Sequence, residues 1–413
     1  MSTSVIQKIT TCDRRFKMQP GEGADSVHKE PQYSFAVTEL RAGGQLAGTG
    51  LTFTLGAGND IVCRAIEFLA QPLVGREIEE LMANWGATWR ELADHHQFRW
   101  LGAHKGIVHL ALASLTNACF DLWAKTRGVP LWKLLLELKP EELVRLLDLS
   151  YLEDVLTTDD ALAILRQHQS SRPEREPILK RGYPGYDTSV GWIHYDDELI
   201  KANARRTVAA GFKGVKLKVG SPDTARDVRR AFLLREALGP EILIMLDANQ
   251  IWPLPKAIRT CLELTKMNPY WIEEPTHPDD VAAHQTLARA IAPVKIAVGE
   301  HVSHRVLWKN FFQAQAVGFC QADCTRLGGI NEWIAVALLG RKFGVPLIPH
   351  VGEVGQIHQH LVLFNHIAIG NPALFLEYIP HLRDHFRQPA IVRGGAYQTP
   401  QEPGASTDLK ETA

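Results

Sequence analysis

In the second half of the chain, short apolar runs alternate with longer segments whose apolar residues recur at helical spacing. The short runs are bounded by turn residues, as is typical of buried parallel strands; examples are 242–246, 294–298 and 345–348. The helical patterns between them include 225–238, 256–267, 280–291 and 331–343. From about residue 189 to residue 377 the pattern predicts eight strands but only seven intervening helices. The predicted fold is therefore α/β, a (β/α)7β TIM-like barrel over residues 186–378.

The first 140 residues predict a separate α+β capping domain. Strand-like patterns precede several helical ones, the last of which, at 106–125, is apolar on most sides and indicates a buried core helix. The other cap segments are strands at 33–40 and 50–55 and helices at 60–70 and 78–92. Residues 141–185 connect the two domains, and the charged, proline-containing stretch 172–181 predicts a boundary loop.

Charged side chains end the predicted strands. The first two are a lysine pair, Lys216 and Lys218. The others follow at intervals of about 25 residues, the length of one strand-plus-helix unit: Asp247, Glu273, Glu300, Asp323 and His350. Because the carboxyl ends of parallel strands meet at one mouth of a barrel, these side chains are expected to line that mouth. This arrangement is typical of an enzyme active site.

Lys216 and Lys218 flank Leu217 and therefore lie on the same face of their strand. Two adjacent ammonium groups disfavour each other's charge, so the pair predicts a lowered pKa for at least one of them. A lysine that is neutral near pH 7 is a usable general base. The alternative is that both side chains extend from an edge strand into water, but the apolar neighbours and the second position among eight strands favour an interior site.

Asp247, Glu273 and Glu300 end three successive predicted strands. Carboxylates held this close repel one another unless a cation joins them, and an all-oxygen set suits Mg2+. Glu274 follows Glu273 and points to the other face, so it is expected to hydrogen-bond nearby groups instead. Any one of these carboxylates alone would more often be a helix cap or a salt-bridge partner. The trio in register with the lysines predicts a magnesium site.

Asp323 and His350 end the sixth and seventh predicted strands, so a carboxylate is expected beside an imidazole. Such a carboxylate raises the pKa of the histidine and fixes its tautomer, which prepares it to transfer a proton near neutral pH. Lys218 and His350 would then face each other across a bound substrate.

These residues carry a resemblance to a known family. The Lys-x-Lys pair and the runs LDANQ, WIEEP and VGE resemble the enolase superfamily, specifically its mandelate racemase group. The runs GEGADSVHKEPQYS, DCTRLGGINE and PHVGEVG are similar to the L-fuconate dehydratases and the fungal L-galactonate dehydratases. The similarity extends from about residue 13 to residue 410.

The resemblance implies a role for each residue at the mouth. Lys218 would remove the proton next to the substrate carboxylate, and Lys216 would share the charge of that carboxylate. His350, supported by Asp323, would act as general acid on the departing 3-hydroxyl. The resemblance also implies that Mg2+ is bound by Asp247, Glu273 and Glu300, and that the substrate is contacted by Lys216, His350, Gly23, Ala24, Asp25, Tyr33, Asn249 and Glu377. The tail, 379–413, would return to the cap.

The implied activity is magnesium-dependent dehydration of an acid sugar, with L-fuconate favoured as substrate and 2-keto-3-deoxy-L-fuconate as product. Alternatives are L-galactonate or another acid sugar, a racemase or epimerase, and a catalytically silent binding protein. Two segments depart from the family pattern: 102–106, Gly-Ala-His-Lys-Gly, and 350–355, where Glu353 replaces a glycine just beyond the proposed acid. That replacement adds bulk and charge near the active-site mouth.

Composition narrows the classes of partner. The formal net charge of -1 argues against a general affinity for nucleic acid or an anionic membrane surface, and no stretch approaches the length of a membrane span. An anionic small molecule would instead be attracted by the lysines and the metal. The six cysteines show no metal-type or disulfide-rich spacing, which predicts a reducing, cytoplasmic location. A homo-oligomer is possible.

Overall fold

The computed structural model describes residues 4–102, 104–351 and 354–411 and has an α/β barrel with a smaller α+β domain at its mouth. The predicted fold class is confirmed. Ala103, Gly352 and Glu353, from the two segments that depart from the family pattern, lie outside the described residues.

The capping domain packs an antiparallel sheet against a long central helix. The strands, paired in the order β1-β2-β3, are β1 (Ile6–Arg15), β2 (Ser34–Ala42) and β3 (Ala47–Thr54). The helices are α1 (Asn59–Ala70), α2 (Ile78–Met82), α3 (Trp85–Ala93), α4 (Gly106–Thr126), α5 (Leu131–Glu137) and α6 (Pro140–Arg145). The close approach of β3 to α4 requires glycine at position 50, because a Cβ there would lie 1.9 Å from the carbonyl oxygen of Ser114.

Helix α4 corrects one statement drawn from the sequence. Its 21 residues have the length and the mean hydropathy of a membrane span, so the prediction that no stretch approaches that length is wrong. In its most apolar stretch of 18 residues, 89% of the residues are buried inside the protein. The helix packs there against β2, β3 and α1. The helix is apolar on most sides because it forms the centre of the cap.

The connecting segment is more helical than predicted. It contains α7 (Thr158–Gln167), α8 (Arg172–Arg175) and α9 (Ile178–Arg181). The predicted boundary loop at 172–181 is therefore wrong. Pro173 lies in the first turn of α8, where the missing N–H costs nothing, and Ile178 of α9 is fully buried.

The barrel has the predicted alternation of strands and helices. Its strands are β4 (Tyr183–Gly191), β5 (Gly214–Lys218), β6 (Leu243–Asp247), β7 (Trp271–Glu273), β8 (Lys295–Val298), β9 (Phe319–Cys320) and β10 (Leu376–Tyr378). The helices that follow the strands are α10 (Asp197–Ala209), α11 (Thr224–Leu238), α12 (Leu254–Thr265), α13 (Val281–Ala290), α14 (Arg305–Gln313), α15 (Ile330–Phe343) and α16 (Ile357–Phe364). The seventh predicted strand contributes a single bridge, from Leu347 to Cys320, and β10 pairs with β4 to close the barrel.

The C-terminal tail joins both domains. Its short strands are β11 (Val392–Arg393) and β12 (Ala396–Tyr397), and β12 pairs antiparallel with β4. Beyond them the chain returns to the cap, where Asp408 accepts hydrogen bonds from Thr49 Oγ1 at 2.5 Å and Lys125 Nζ at 2.7 Å. The domain limits at 140, 185 and 378 stay a prediction, and the first barrel strand begins at Tyr183.

Hydrogen bonds hold the cap over the carboxyl ends of the strands. Ser26 Oγ donates to the carbonyl of Ala248, just beyond β6, at 2.8 Å. Trp89 Nε1 of α3 donates to the carbonyl of Gly328 at 2.9 Å. The cap and the barrel mouth therefore enclose one common space.

Candidate active site

Lys216 and Lys218 both point into the barrel from β5 and are 1% and 5% exposed. Lys216 Nζ lies 2.6 Å from Glu377 Oε1, 3.0 Å from Glu273 Oε1 and 3.4 Å from Asp247 Oδ2. Lys218 Nζ lies 2.5 Å from Asp247 Oδ2 and 3.1 Å from Asn249 Oδ1. The alternative in which the lysines extend into water is therefore wrong.

The predicted lowering of a lysine pKa is also wrong for this structure. Burial alone would lower the pKa of both lysines, but neighbouring carboxylates raise it. For Lys216 the carboxylates are those of Glu273, Glu377 and Asp247, and for Lys218 the largest effect comes from Asp247. Carboxylates outnumber ammonium groups here, so attraction outweighs the repulsion between the two lysines.

Backbone register brings two of the three predicted metal ligands together. Asp247 is the register partner of both Lys218 and Glu273 on the neighbouring strands, which places the two carboxylates side by side. Burial and the adjacent Asp247 carboxylate raise the pKa of Glu273 to about 8. Two buried carboxylates that disfavour each other's charge in this way are a donor set that a hard cation stabilises.

Glu300, the third predicted ligand, is turned toward histidines. Its Oε2 lies 2.9 Å from His350 Nε2 and its Oε1 lies 3.3 Å from His301 Nδ1. Within the described part of the chain, the ligand atoms that converge within 4.8 Å belong to two other groups, Glu274 with Glu300 and His301, and Asp323 with Cys324 and His358. The predicted trio thus lies around one mouth, but Glu300 does not share a contact with Asp247 and Glu273.

Glu274 forms hydrogen bonds away from the lysines, as its position in the strand predicts. Its Oε1 lies 2.9 Å from His301 Nδ1, and its Oε2 accepts from Gln250 Nε2 at 3.0 Å. Asn249, Gln250 and Glu274 all have positive φ, at 44°, 66° and 42°. Left-handed backbone at residues other than glycine is costly and clusters at functional sites, which fits the ends of β6 and β7.

Asp323 and His350 form the predicted pair. His350 Nδ1 lies 2.9 Å from Asp323 Oδ2, and both residues are buried. Burial alone would lower the pKa of His350, but its contacts with Glu300 and Asp323 raise it to about 10. The imidazole is therefore held as a proton donor, with Nδ1 bound to Asp323 and Nε2 directed toward Glu300.

A cavity of about 50 Å³ lies between the cap and the barrel mouth. Lys218 and His350 both line it, and so do seven other residues predicted for the site: Gly23, Asp25, Tyr33, Lys216, Asn249, Glu300 and Glu377. Ala24 does not line the cavity; its carbonyl accepts a hydrogen bond from the backbone of Ile193.

Glu377 is held at the wall of this cavity by four contacts. Besides Lys216, its Oε1 accepts from Thr188 Oγ1 at 2.5 Å, and its Oε2 accepts from the backbone N–H of Val351 at 3.1 Å. The Tyr397 hydroxyl of the tail donates to its carbonyl oxygen at 2.6 Å.

The chain is similar to known proteins over nearly its whole length. The sequence profile of the family described as enolase C-terminal domain-like matches residues 199–413. The chain is 40% identical to human mitochondrial enolase superfamily member 1 over 98% of this chain and 94% of that protein. The chain belongs to the enolase superfamily. The crystal structure of that human protein superposes with a TM-score of 0.95, at 39% identity over 98% of this chain and 94% of the other.

Two other similar proteins carry names that describe an activity. L-galactonate dehydratase of Hypocrea jecorina is 40% identical over 99% of this chain and 93% of its own length. L-talarate dehydratase from Polaromonas sp. JS666, solved with Mg and L-glucarate, has a TM-score of 0.75 at 24% identity, covering 98% of this chain and 95% of that one. At that identity the second comparison supports the fold alone.

Several cavity residues of this superfamily member were not predicted from the sequence. They are His28, Phe53, Leu55, Thr188, Arg326 and Ile379. Arg326 follows the sixth strand by a few residues in the DCTRLGG run, so its place at a strand end could have indicated it. Within residues 4–102, 104–351 and 354–411 its guanidinium forms no hydrogen bond or ion pair, which leaves its donors free to bind a ligand.

Proposed function

We propose that this enolase superfamily protein is a magnesium-dependent acid-sugar dehydratase that acts on L-fuconate. The observation that carries the proposal is the placement of Lys218 and His350 in the wall of one cavity, with buried carboxylates beside them. The names of relatives at 40% identity over nearly the whole chain support the class of reaction.

The adjacent carboxylates of Asp247 and Glu273 fit the proposed metal, and Glu300 would complete the site by turning away from His350. Asp247, Glu273 and Glu300 would hold Mg2+ through oxygen atoms, which this ion prefers. Bound magnesium supplies positive charge that neutralises these carboxylates and stabilises negative charge on the substrate carboxylate. Lys218 must lose its proton before it can act as a base, and neutralisation of Asp247 weakens the contact that keeps it protonated.

The first step is removal of the proton at carbon 2 by Lys218. The electron pair of the C–H bond moves onto the carboxylate carbon and its oxygens, giving an enediolate. A proton beside a carboxylate is far less acidic than an ammonium group, and each pKa unit of the difference costs about 1.36 kcal/mol. Lys216, 2.6 Å from Glu377, lies where its positive charge can offset part of this cost.

The second step is elimination of the 3-hydroxyl. The enediolate oxygen electrons restore the carboxylate, the electron pair of the double bond between carbons 1 and 2 forms a new double bond between carbons 2 and 3, and the bond from carbon 3 to oxygen breaks. His350 Nε2 donates the proton with which the hydroxide leaves as water. The resulting enol tautomerises to a 2-keto-3-deoxy acid. Because Asp323 binds His350 Nδ1, the other ring nitrogen is the one that faces the cavity.

Cavity residues support the choice of an acid sugar as substrate. His28, Asp25 and Arg326 offer hydrogen bonds to hydroxyl groups along the chain of the sugar. Phe53, Leu55 and Ile379 add apolar surface, which suits the terminal methyl group of L-fuconate. L-galactonate, which carries a hydroxyl at that carbon, is the second candidate, because the Hypocrea jecorina relative is named for it.

A screen of mono- and diacid sugars with the purified protein and Mg2+ tests this proposal. We expect a 2-keto-3-deoxy acid from L-fuconate, with a kcat/KM higher than that for L-galactonate. A preference for L-galactonate would move the substrate assignment to the second candidate. Isomerisation of the sugar without loss of water would indicate a racemase or epimerase, and no reaction with any acid sugar would contradict the proposed class.

Two further properties stay predictions. All six cysteines are free thiols, and five of them are buried, in agreement with a reducing compartment such as the cytoplasm. Assembly into a homo-oligomer stays a prediction.

A further inference from the structure

Asp323 binds a second imidazole besides that of His350. His358 Nε2 lies 2.9 Å from Asp323 Oδ1, while His350 Nδ1 lies 2.9 Å from Oδ2. His358 belongs to α16, is 2% exposed and does not line the cavity. It therefore has no direct access to a substrate.

We propose that His358 is a positioning residue that orients the Asp323 carboxylate toward His350. This inference rests on the proposed function, because it concerns the acid that completes the elimination. It adds to the predicted pair a third side chain, from a different element of the barrel.

The hydrogen bonds of Asp323 show how the orientation arises. Three donors occupy Oδ1: the backbone N–H of Thr325 at 2.8 Å, its Oγ1 at 2.7 Å and His358 Nε2 at 2.9 Å. Only Oδ2 is left for His350. The Thr325 donors come from the same loop as Asp323, whereas His358 comes from the helix that follows the strand carrying His350. His358 thus ties the carboxylate to the element on which the acid depends.

The same atoms do not form a metal site. Asp323, Cys324 and His358 converge within 4.8 Å, but the carboxylate is already bound to four hydrogen-bond donors. Cys324 Sγ lies 3.5 Å from His358 Nε2, and burial raises the pKa of its thiol well above the usual value. A metal here would have to displace the proton of the thiol and the donors of the carboxylate, so hydrogen bonding accounts for the convergence of these residues.

Loss of the hydrogen bond between His358 and Asp323 should slow only the second step, the elimination of the 3-hydroxyl. A carboxylate that can rotate spends part of its time away from His350 Nδ1, so the acid is misoriented when the 3-hydroxyl leaves. Lys218 lies on β5 and does not contact Asp323 or His358, so proton removal at carbon 2 should continue. Removing a comparable supporting contact lowers activity by about 10- to 100-fold.

The test compares H358M with H358Q, two side chains of similar length of which only glutamine has an N–H donor. For H358M we expect kcat for dehydration to fall by about 10- to 100-fold with little change in KM, while deuterium exchange at carbon 2 of the substrate continues at a rate near that of the wild type. H358Q should restore most of kcat. The matched control is H360M, which removes another buried imidazole of α16 that binds the backbone of Trp132 instead.

Three results would overturn the inference: dehydration by H358M at the wild-type rate, equal losses of exchange and dehydration, or equal losses in H358M and H358Q. Thermal unfolding of all variants shows whether a loss of activity reflects a loss of folded protein. The control H360M should be less stable than the wild type but should keep the wild-type ratio of deuterium exchange to dehydration. Wild-type protein that does not dehydrate any acid sugar would contradict the proposed function instead, and this separates the two failures.

Discussion

Replacing Lys218 with alanine is expected to lower turnover of the acid sugar by at least about 10³-fold, because general base catalysis contributes about 10²- to 10⁴-fold and no other cavity lysine can replace it. Lys218 is 5% exposed, and its ammonium lies 2.5 Å from Asp247 at the mouth of the barrel. Steady-state kinetics on the substrate found in the screen, together with deuterium exchange at carbon 2, give the measurement. Both should be lost together.

The control for this variant is K213A. Lys213 precedes the same strand at its opposite end and is exposed, so its loss should leave turnover unchanged. Magnesium binding by K218A should also be retained, since the proposed ligands are carboxylates. If K218A turned over normally, Lys218 could not be the base.

Replacing Arg305 with methionine is expected to lower the free energy of unfolding by about 3–5 kcal/mol. Arg305 is fully buried at the start of α14, where its guanidinium lies 2.5 Å from Asp148 Oδ2 and 3.2 Å from Glu332 Oε2. Methionine fills much of the volume but leaves the two buried carboxylates without a positive charge beside them. Chemical denaturation of the two proteins measures the difference.

Two matched variants sharpen this prediction. R229A removes an arginine that is 59% exposed and lies 3.5 Å from Asp197, so it should change the free energy of unfolding by less than about 1 kcal/mol. Adding D148N and E332Q to R305M removes the unpaired charges and should recover part of the stability. Wild-type stability of R305M alone would show that the buried ion pairs contribute nothing measurable.

The strand-end residues were predictable because β/α repetition fixes where side chains emerge. Once 214–218 and 243–247 are identified as neighbouring parallel strands, the register that pairs Lys218 with Asp247 and Asp247 with Glu273 follows. His350 beside Asp323 follows in the same way, since their strands are also adjacent. Local periodicity is therefore enough to predict most of the site residues that the barrel contributes.

Other features depend on contacts that no local pattern records. Strand β1 was not predicted, because its residues are mostly polar and pair only with β2. The pKa of Lys216 depends on Glu377, which is distant in sequence and lies 2.6 Å away only after β10 pairs with β4. His358 ends no predicted strand, and its bond to Asp323 requires the packing of α16 against the barrel.

The central claim is that Asp247, Glu273 and Glu300 share one magnesium ion, and titration of Mg2+ into chelator-treated protein by calorimetry tests it most directly. Glu300 is the decisive ligand, because here it contacts His350 and His301 rather than the other two carboxylates. We predict one Mg2+ bound per chain by the wild type and affinity at least about tenfold weaker for E300Q, which keeps the shape but loses the charge. Equal affinity of the two proteins, or no binding by either, would contradict the account.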